Sequence, residues 1–195
     1  MISVSPVIGT PQAPTRPAAG VLVTAWLVAL CCLAFATVNV VFEATGHFAD
    51  GPYAEYSSAI SAMNWLVVGL KVAGAAVALS SIARRRSSPV VLGLLVWGAF
   101  ALLGIYALGS VVQAIGMVSG LAGSADQITV AGIGYVLFFV LIAAGYGVLA
   151  ISFSRRTQLR KGVAVLGALG APVILGFILV AMPMLLTALG LMPSA

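Results

Sequence analysis

The chain has 195 residues, of which 62% are hydrophobic and 7% are charged, and its formal net charge at pH 7 is +5. Soluble domains contain about 25% charged residues, so this chain has too few polar side chains to cover a surface in contact with water. The composition excludes an ordinary soluble domain and predicts an all-α protein, a polytopic integral membrane bundle of about five transmembrane helices.

The first 19 residues differ in composition from the rest of the chain. They contain four prolines and one charged residue, Arg16. A segment of this kind has too little apolar surface to form a hydrophobic core. We therefore predict a flexible cytoplasmic tail over residues 1–19, followed by a single transmembrane helical domain over residues 20–195.

Five apolar segments follow, and each reaches the roughly 20 residues that a membrane-crossing helix needs. A signal peptide cleaved after Ala36 is an alternative for the first segment, but the apolar run continues through Val41. The last segment contains Pro172 and Pro183, and one tilted, kinked helix is favoured there over a re-entrant hairpin. The predicted spans cover about 20–42, 59–82, 89–116, 130–153 and 162–191.

The charged residues predict how these helices are oriented. Lys and Arg in short loops mark the cytoplasmic side of a membrane protein, and with five spans all such loop residues fall on one face. The loops of the other face contain all the acids of the chain. We predict a cytoplasmic N-terminus and an outside C-terminus in a bacterial plasma membrane. The basic set is Arg16, Arg84, Arg85, Arg86, Arg155, Arg156, Arg160 and Lys161, and the acidic set is Glu43, Asp50, Glu55 and Asp126.

Pairs of small residues indicate where the helices pack against one another. Small side chains four positions apart let two backbones approach closely, and van der Waals contact then holds the helices together in lipid. Such pairs occur in the second and last spans. They are Gly74 with Ala78, Ala164 with Ala168, and Gly167 with Ala171.

Lys71 is the most informative single residue, because it lies near the middle of the second span. A charged lysine at that depth costs about 2.5–3.5 kcal/mol on insertion scales. We expect its side chain to face the interior of the bundle or to be deprotonated. One interpretation is a site for a substrate, an anion or a proton, and the other is a lysine satisfied by backbone carbonyls or a wet crevice.

Polar residues in the spans are concentrated in the outer half of the predicted bundle. Asn64 and Lys71 are seven positions apart and share one helix face, as do Asn39 and Glu43 at a spacing of four. One hypothesis is a polar vestibule open to the outside, with Lys71 near its floor. The alternative is a set of unrelated hydrogen bonds between helices or at the headgroups. The vestibule residues would be Lys71, Asn64, Asn39, Tyr106 and Gln113.

The loop after the first span combines carboxylates with the only histidine, His47. That combination suits general acid–base chemistry or a metal site, with Glu43 and Glu55 as the candidate catalytic acids beside Lys71. One histidine without HExxH-type spacing does not make a zinc motif. We favour a solvated acidic loop and predict neither a metal nor a cofactor.

Three functions are compatible with these features. The first is a non-catalytic accessory or envelope component, which the small size and the weak site signals favour. The second is a membrane-embedded enzyme acting on a lipid or isoprenoid, and the third is an oligomeric transporter or channel. No P-loop, GxSxG motif or nucleic-acid-binding patch is present. The expected partners are the lipid bilayer and copies of the chain or other membrane proteins.

Overall fold

The computed structural model describes residues 17–49, 54–83, 88–121, 123 and 128–190. These residues form five long helices, and no strand occurs among them. Each helix is long and apolar enough to cross a membrane, so the five predicted spans are confirmed. The helices are α1 (Ala19–Ala44), α2 (Ser57–Ile82, preceded by a 3-10 turn at Ala54–Tyr56), α3 (Pro89–Val118), α4 (Val130–Thr157) and α5 (Lys161–Ala188).

The helix ends follow from the local sequence. Pro89 occupies the first position of α3, where its missing N–H costs no intrahelical hydrogen bond. Thr129 caps α4, because its hydroxyl oxygen accepts a hydrogen bond from the Gly132 N–H at 3.0 Å. The chain leaves α4 at Gln158, whose left-handed φ of 50° turns it directly into α5.

The last apolar segment is one continuous helix. Pro172 and Pro183 both lie inside α5, and neither ends it. The prediction of one helix in place of a re-entrant pair is confirmed over Lys161–Ala188. Neighbouring groups satisfy the carbonyls that a proline leaves without a donor inside a membrane helix.

The first four helices form a bundle, and the fifth lies outside it. α1 packs on α2, α3 packs on α4, and contacts between α1 and α4 join the two pairs, whereas α2 and α3 touch only loosely. α5 packs on α3 although it follows α4 in the chain. Successive helices run in opposite directions, so the bundle has two chemically different ends.

We call these the acidic end and the basic end. The acidic end contains the C-terminus of α1, where Glu43 lies, and the N-terminus of α2. The basic end contains the C-termini of α2 and α4. There the Arg156 guanidinium donates to the Ser81 carbonyl oxygen at 2.8 Å, and the Trp97 indole donates to the Ser154 hydroxyl at 2.9 Å.

Close approach of helices depends on glycine at a few positions. A Cβ placed on Gly167 would lie 2.8 Å from the Leu94 carbonyl oxygen and 2.9 Å from the Trp97 Cβ, so α5 touches the backbone of α3 there. Gly167 and Ala171 therefore mark a packing surface, as their spacing predicts. Gly74 instead makes room for a side chain, since its Cβ would lie 2.8 Å from the Tyr146 hydroxyl.

Candidate functional site

The Glu43 carboxylate connects α1 to α2 near the acidic end. Its Oε2 accepts a hydrogen bond from the Ser61 hydroxyl at 2.6 Å, a length typical of a hydroxyl that donates to a charged carboxylate. Its Oε1 accepts a second hydrogen bond from the Asn64 amide at 2.9 Å. Both oxygens are therefore held by neutral donors of α2.

Asn64 links this carboxylate to the backbone of α1. The same amide nitrogen donates to the Asn39 carbonyl oxygen at 3.0 Å, and Asn64 is buried. The Asn39 side chain turns back to its own helix and donates to the Phe35 carbonyl oxygen at 2.7 Å. Asn64 thus fixes the register of α2 against α1, because its two donor hydrogens reach two different groups of that helix.

Lys71 lies deeper along the same face of α2. It is 9% exposed, and about 10 Å of helix rise separates it from Asn64 at 1.5 Å per residue. Its Nζ lies 4.3 Å from the centroid of the Phe139 ring and 4.9 Å from that of Phe35. Both distances are within the roughly 6 Å range of cation–π attraction.

The two rings belong to a larger aromatic cluster that spans three helices. Phe139 packs on Tyr106 and Tyr135 at centroid distances of 4.8 and 4.7 Å. The Tyr106 hydroxyl donates to the Tyr135 hydroxyl at 3.2 Å. Lys71 from α2 therefore meets aromatic side chains from α1 and α4, and the cluster reaches α3 through Tyr106.

A second buried contact lies next to Lys71 on the side of the basic end. The Cys32 thiol and the Tyr146 hydroxyl are 3.9 Å apart, and both side chains are almost fully buried. They pack over Gly74, three residues beyond Lys71 on α2. This contact joins α1 and α4 to α2 and belongs to the main hydrophobic core.

A cavity of about 260 Å³ opens at the acidic end, beside Glu43. Phe42 and Phe48 line it on one side, and Ser57, Ser58 and Ser61 on the other. Among the described residues, no group of three His, Cys, Asp or Glu side chains lies close enough to hold a metal ion.

The structure brings together some of the predicted site residues and separates others. Three of them lie where α1 contacts α2, namely Asn39, Asn64 and Lys71. Tyr106 packs on Phe139, which in turn contacts Lys71. Gln113 is exposed on α3, and Glu55 is exposed on the 3-10 turn. Asp50 and Asp126 lie outside the described residues.

Sequence reasoning missed the aromatic surroundings of Lys71. Phe138 and Phe139 are adjacent in an apolar span, where aromatic residues ordinarily face lipid, and nothing in their spacing distinguishes the ring that turns inward. Reasoning from the sequence also missed that Ser61 and Asn64 donate to the same carboxylate. The available signal was that Ser61 and Asn64 are three positions apart on one helix face, and that an acid, Glu43, lies at the end of the previous span.

The site is formed from helix-to-helix contacts in a bundle of membrane-spanning dimensions. It contains a carboxylate with both oxygens bonded to side chains of α2 and a lysine amine that lies over the rings of Phe35 and Phe139. No protein-family model, curated protein or solved structure matches this chain. The class of protein, a helical bundle of membrane-spanning dimensions, is therefore defined by its five apolar helices.

Proposed function

We propose that the chain is a multi-pass protein of a bacterial plasma membrane that acts without catalysis, as an accessory subunit or envelope component. The five apolar helices support the membrane location. The distribution of charge supports a basic end that faces the cytoplasm, with the N-terminus inside and the C-terminus outside. A chain that stayed monodisperse in buffer without detergent would contradict this location.

The observation that supports the non-catalytic role is that the polar groups of the spans are used in contacts between helices. Both Glu43 carboxylate oxygens accept hydrogen bonds from α2, and the Lys71 Nζ lies within 5 Å of the centroids of two rings, Phe35 and Phe139. A catalytic or binding site ordinarily presents a few polar groups that converge on an open pocket. Glu43 and Ser61 do line the cavity at the acidic end, but both carboxylate oxygens are already bonded to α2, and Lys71 joins α2 to rings of α1 and α4.

The apolar exterior supports a role in assembly with other membrane polypeptides. α5 contacts the bundle through α3 and leaves most of its length uncovered, including Leu166, Phe177 and Met184. Lipid or a neighbouring membrane helix can cover such a surface. Copies of this chain or the other subunits of a membrane complex are the proposed partners.

A transporter or channel is the second candidate, and one observation favours it. Ser61, Asn64 and Lys71 follow one another along a single face of α2 from the acidic end toward the membrane centre. Such a row of polar side chains would line one wall of a vestibule that opens to the outside. The lipid-modifying enzyme has less support, because Glu43 is already bonded and Glu55 is exposed on the 3-10 turn.

The substitution Lys71→Met tests the proposal. Methionine has a similar length, and its sulfur packs favourably on aromatic rings, so we expect an unchanged or raised melting temperature in detergent. We also expect the variant to complement a deletion strain as well as wild type does. Lys161→Met is the matched control, because Lys161 is exposed at the start of α5. Loss of complementation by a stably folded Lys71→Met protein, with Lys161→Met active, would contradict the structural role.

A further inference from the structure

The cavity at the acidic end differs from the apolar outer surface of the helices, because a carboxylate, hydroxyl groups and aromatic rings line it together. The carboxylate is that of Glu43. A volume of about 260 Å³ leaves room for a group larger than a water molecule. The lining also contains the rings of Phe42 and Phe48 and the hydroxyls of Ser57, Ser58 and Ser61.

The negative charge of Glu43 has no basic partner beside it among the residues that the structure describes. Its two hydrogen bonds come from the neutral side chains of Ser61 and Asn64, and they occupy about half of the roughly four acceptor positions of a carboxylate. The sequence has no Lys or Arg between residues 17 and 70. Lys71 lies about 15 Å of helix rise beyond Ser61. The carboxylate can therefore accept further hydrogen bonds, and its charge is left for a cation from outside the chain.

The other lining groups indicate which kind of cation fits. Each serine hydroxyl has two acceptor lone pairs, so the oxygens suit a cation that carries N–H donors. A primary ammonium group has three such donors, whereas a quaternary ammonium group has none. Aromatic rings attract a cation that lies within about 6 Å of their centroids, and Phe42 and Phe48 provide two rings at this cavity.

The cavity lies where two membrane-spanning helices end. Glu43 is the last residue but one of α1, and Ser57 is the first residue of α2. Because the length of a spanning helix matches the hydrocarbon thickness, its ends lie near the lipid headgroups. Two sources present a primary ammonium group at this level, namely the headgroup of an aminophospholipid and a small amine dissolved in the adjacent water.

We infer that the cavity beside Glu43 binds a primary ammonium group. The Glu43 carboxylate is the counter-ion, the serine hydroxyls accept from the remaining N–H groups, and the two phenylalanine rings contact the adjoining methylene group. The binding involves no catalysis, so it is compatible with the accessory role but does not depend on it. Only the lipid as the source of the ammonium group rests on the membrane location proposed above.

Two measurements on the full chain in detergent distinguish the sources. Native mass spectrometry compares the retention of phosphatidylethanolamine and phosphatidylcholine with the same acyl chains, which differ only in three methyl groups on the nitrogen. Thermal unfolding compares free ethanolamine with free choline, both as chloride salts.

In wild type we expect at least about a ten-fold preference for the ethanolamine form over the choline form, the effect of one hydrogen bond to a charged group. The preference is measured as retained lipid or as the concentration that gives half of the shift in melting temperature. A preference between the lipids identifies the headgroup as the ligand, and a preference confined to the free amines identifies a soluble amine. No preference in either measurement would overturn the site.

Glu43→Gln removes the counter-ion, and Glu55→Gln is the matched control. The control loses the same charge, but Glu55 is exposed on the 3-10 turn and does not line the cavity. We expect Glu43→Gln to abolish the preference for the primary ammonium group and Glu55→Gln to keep it. The same preference in both variants would contradict the role of Glu43.

A second pair of variants leaves Glu43 in place, because Glu43→Gln also weakens its contact with α2. Ser58 lines the cavity and is exposed, so Ser58→Phe fills the space without entering the core. Ser119→Phe is the control, since Ser119 is exposed at the same end of the molecule and does not line the cavity. We expect Ser58→Phe to lose the bound ammonium compound and Ser119→Phe to keep it. Binding that persists in Ser58→Phe would place the ammonium group elsewhere and refute the inference.

Discussion

The contacts of Glu43 illustrate how single residues stabilise a bundle in which every helix is apolar. Hydrophobic burial cannot hold helices together in lipid, because lipid tails are as apolar as the side chains they surround. A carboxylate of α1 that accepts from Ser61 and Asn64 of α2 provides a directional contact instead. The α1–α2 pair should therefore depend strongly on these three side chains.

A double-mutant cycle of Glu43→Gln and Asn64→Leu measures this dependence. Each single variant removes the charged hydrogen bond, so we expect each to lower the free energy of unfolding in detergent. The coupling energy should be about 0.6–1.7 kcal/mol, between the average and the largest values found for polar contacts between membrane helices.

Thr37→Val provides the control for this cycle. Thr37 is exposed on the same helix and bonds only to the Leu33 carbonyl oxygen of its own α1. Its substitution should change stability by less than about 0.5 kcal/mol. A coupling energy of zero between Glu43 and Asn64 would show that the charge of the carboxylate adds nothing to its hydrogen bond with the Asn64 amide, because glutamine at position 43 keeps an oxygen that can accept it.

The burial of Lys71 could be predicted from the sequence, but its environment could not. Its position in the middle of an apolar span makes lipid exposure costly, and the structure confirms that the side chain is buried. The sequence offers no acid at matching depth, and it does not mark which aromatic residues turn inward. Phe35 and Phe139 become neighbours of Lys71 only through the packing of α1 and α4 around α2.

At the scale of the helices, the closest approach of α5 to α3 is at Gly167. The backbone of α3 at Leu94 lies against Gly167, and no side chain separates the two helices there. Gly98 of α3 faces the same glycine, since its Cβ would lie 3.4 Å from the Gly167 carbonyl oxygen. Any added volume at position 167 must move one helix away from the other.

We predict that Gly167→Ala weakens the docking of α5 on α3. The added methyl group would contact a backbone carbonyl that cannot move independently, and overpacking of this kind costs about 1–3 kcal/mol. Gly170→Ala is the matched control, because nothing lies within 4 Å of its Cβ position. The control should keep or slightly raise stability, since alanine favours the helix over glycine by up to about 1 kcal/mol.

Thermal unfolding in detergent compares the two glycine variants, and disulfide cross-linking between cysteines introduced into α3 and α5 reports on docking directly. Equal stability and equal cross-linking of Gly167→Ala and Gly170→Ala would contradict the close contact.

The existence of each helix was predictable, and the pairing of helices was not. The apolar spans correspond to helices that begin and end within a few residues of the predicted limits, because hydrocarbon thickness and the polar loops set their length. Because the spans are uniformly apolar, their sequence does not show which face of each helix packs inward. The sequence therefore did not indicate that α5 would pack on α3, two helices earlier in the chain.

At the scale of the whole molecule, the central question is whether lipid or water covers the exposed polar residues near the acidic end. Tyr106 is 41% exposed on the flank of α3, and Gln113 is exposed two turns further toward the acidic end. If the polar groups only hold the helices together, Tyr106 and Gln113 face lipid. If they line a water-filled vestibule, the two residues are in contact with water from the outside.

A membrane-impermeant thiol reagent distinguishes the two arrangements in a chain that carries Cys31→Ser and Cys32→Ala. Because thiolates form and react in water, we expect cysteines at 64, 106 and 113 to resist the reagent in intact cells. Ser119→Cys at the acidic end should react from outside, and Gln158→Cys at the basic end should react only after permeabilisation. Rapid labelling at all three test positions would instead support the vestibule and the transporter. Labelling of Gln158→Cys in intact cells would reverse the proposed orientation.

The placement of Lys71 between rings from two different helices also has a consequence for biosynthesis. As the ribosome delivers the chain to the insertion machinery, α1 already provides Phe35 when α2 enters the bilayer. Phe139 arrives later, with α4. Until then the Lys71 amine lacks one of the two rings that pack on it in the finished bundle. The completion of this membrane domain is thus tied to the synthesis of its fourth helix.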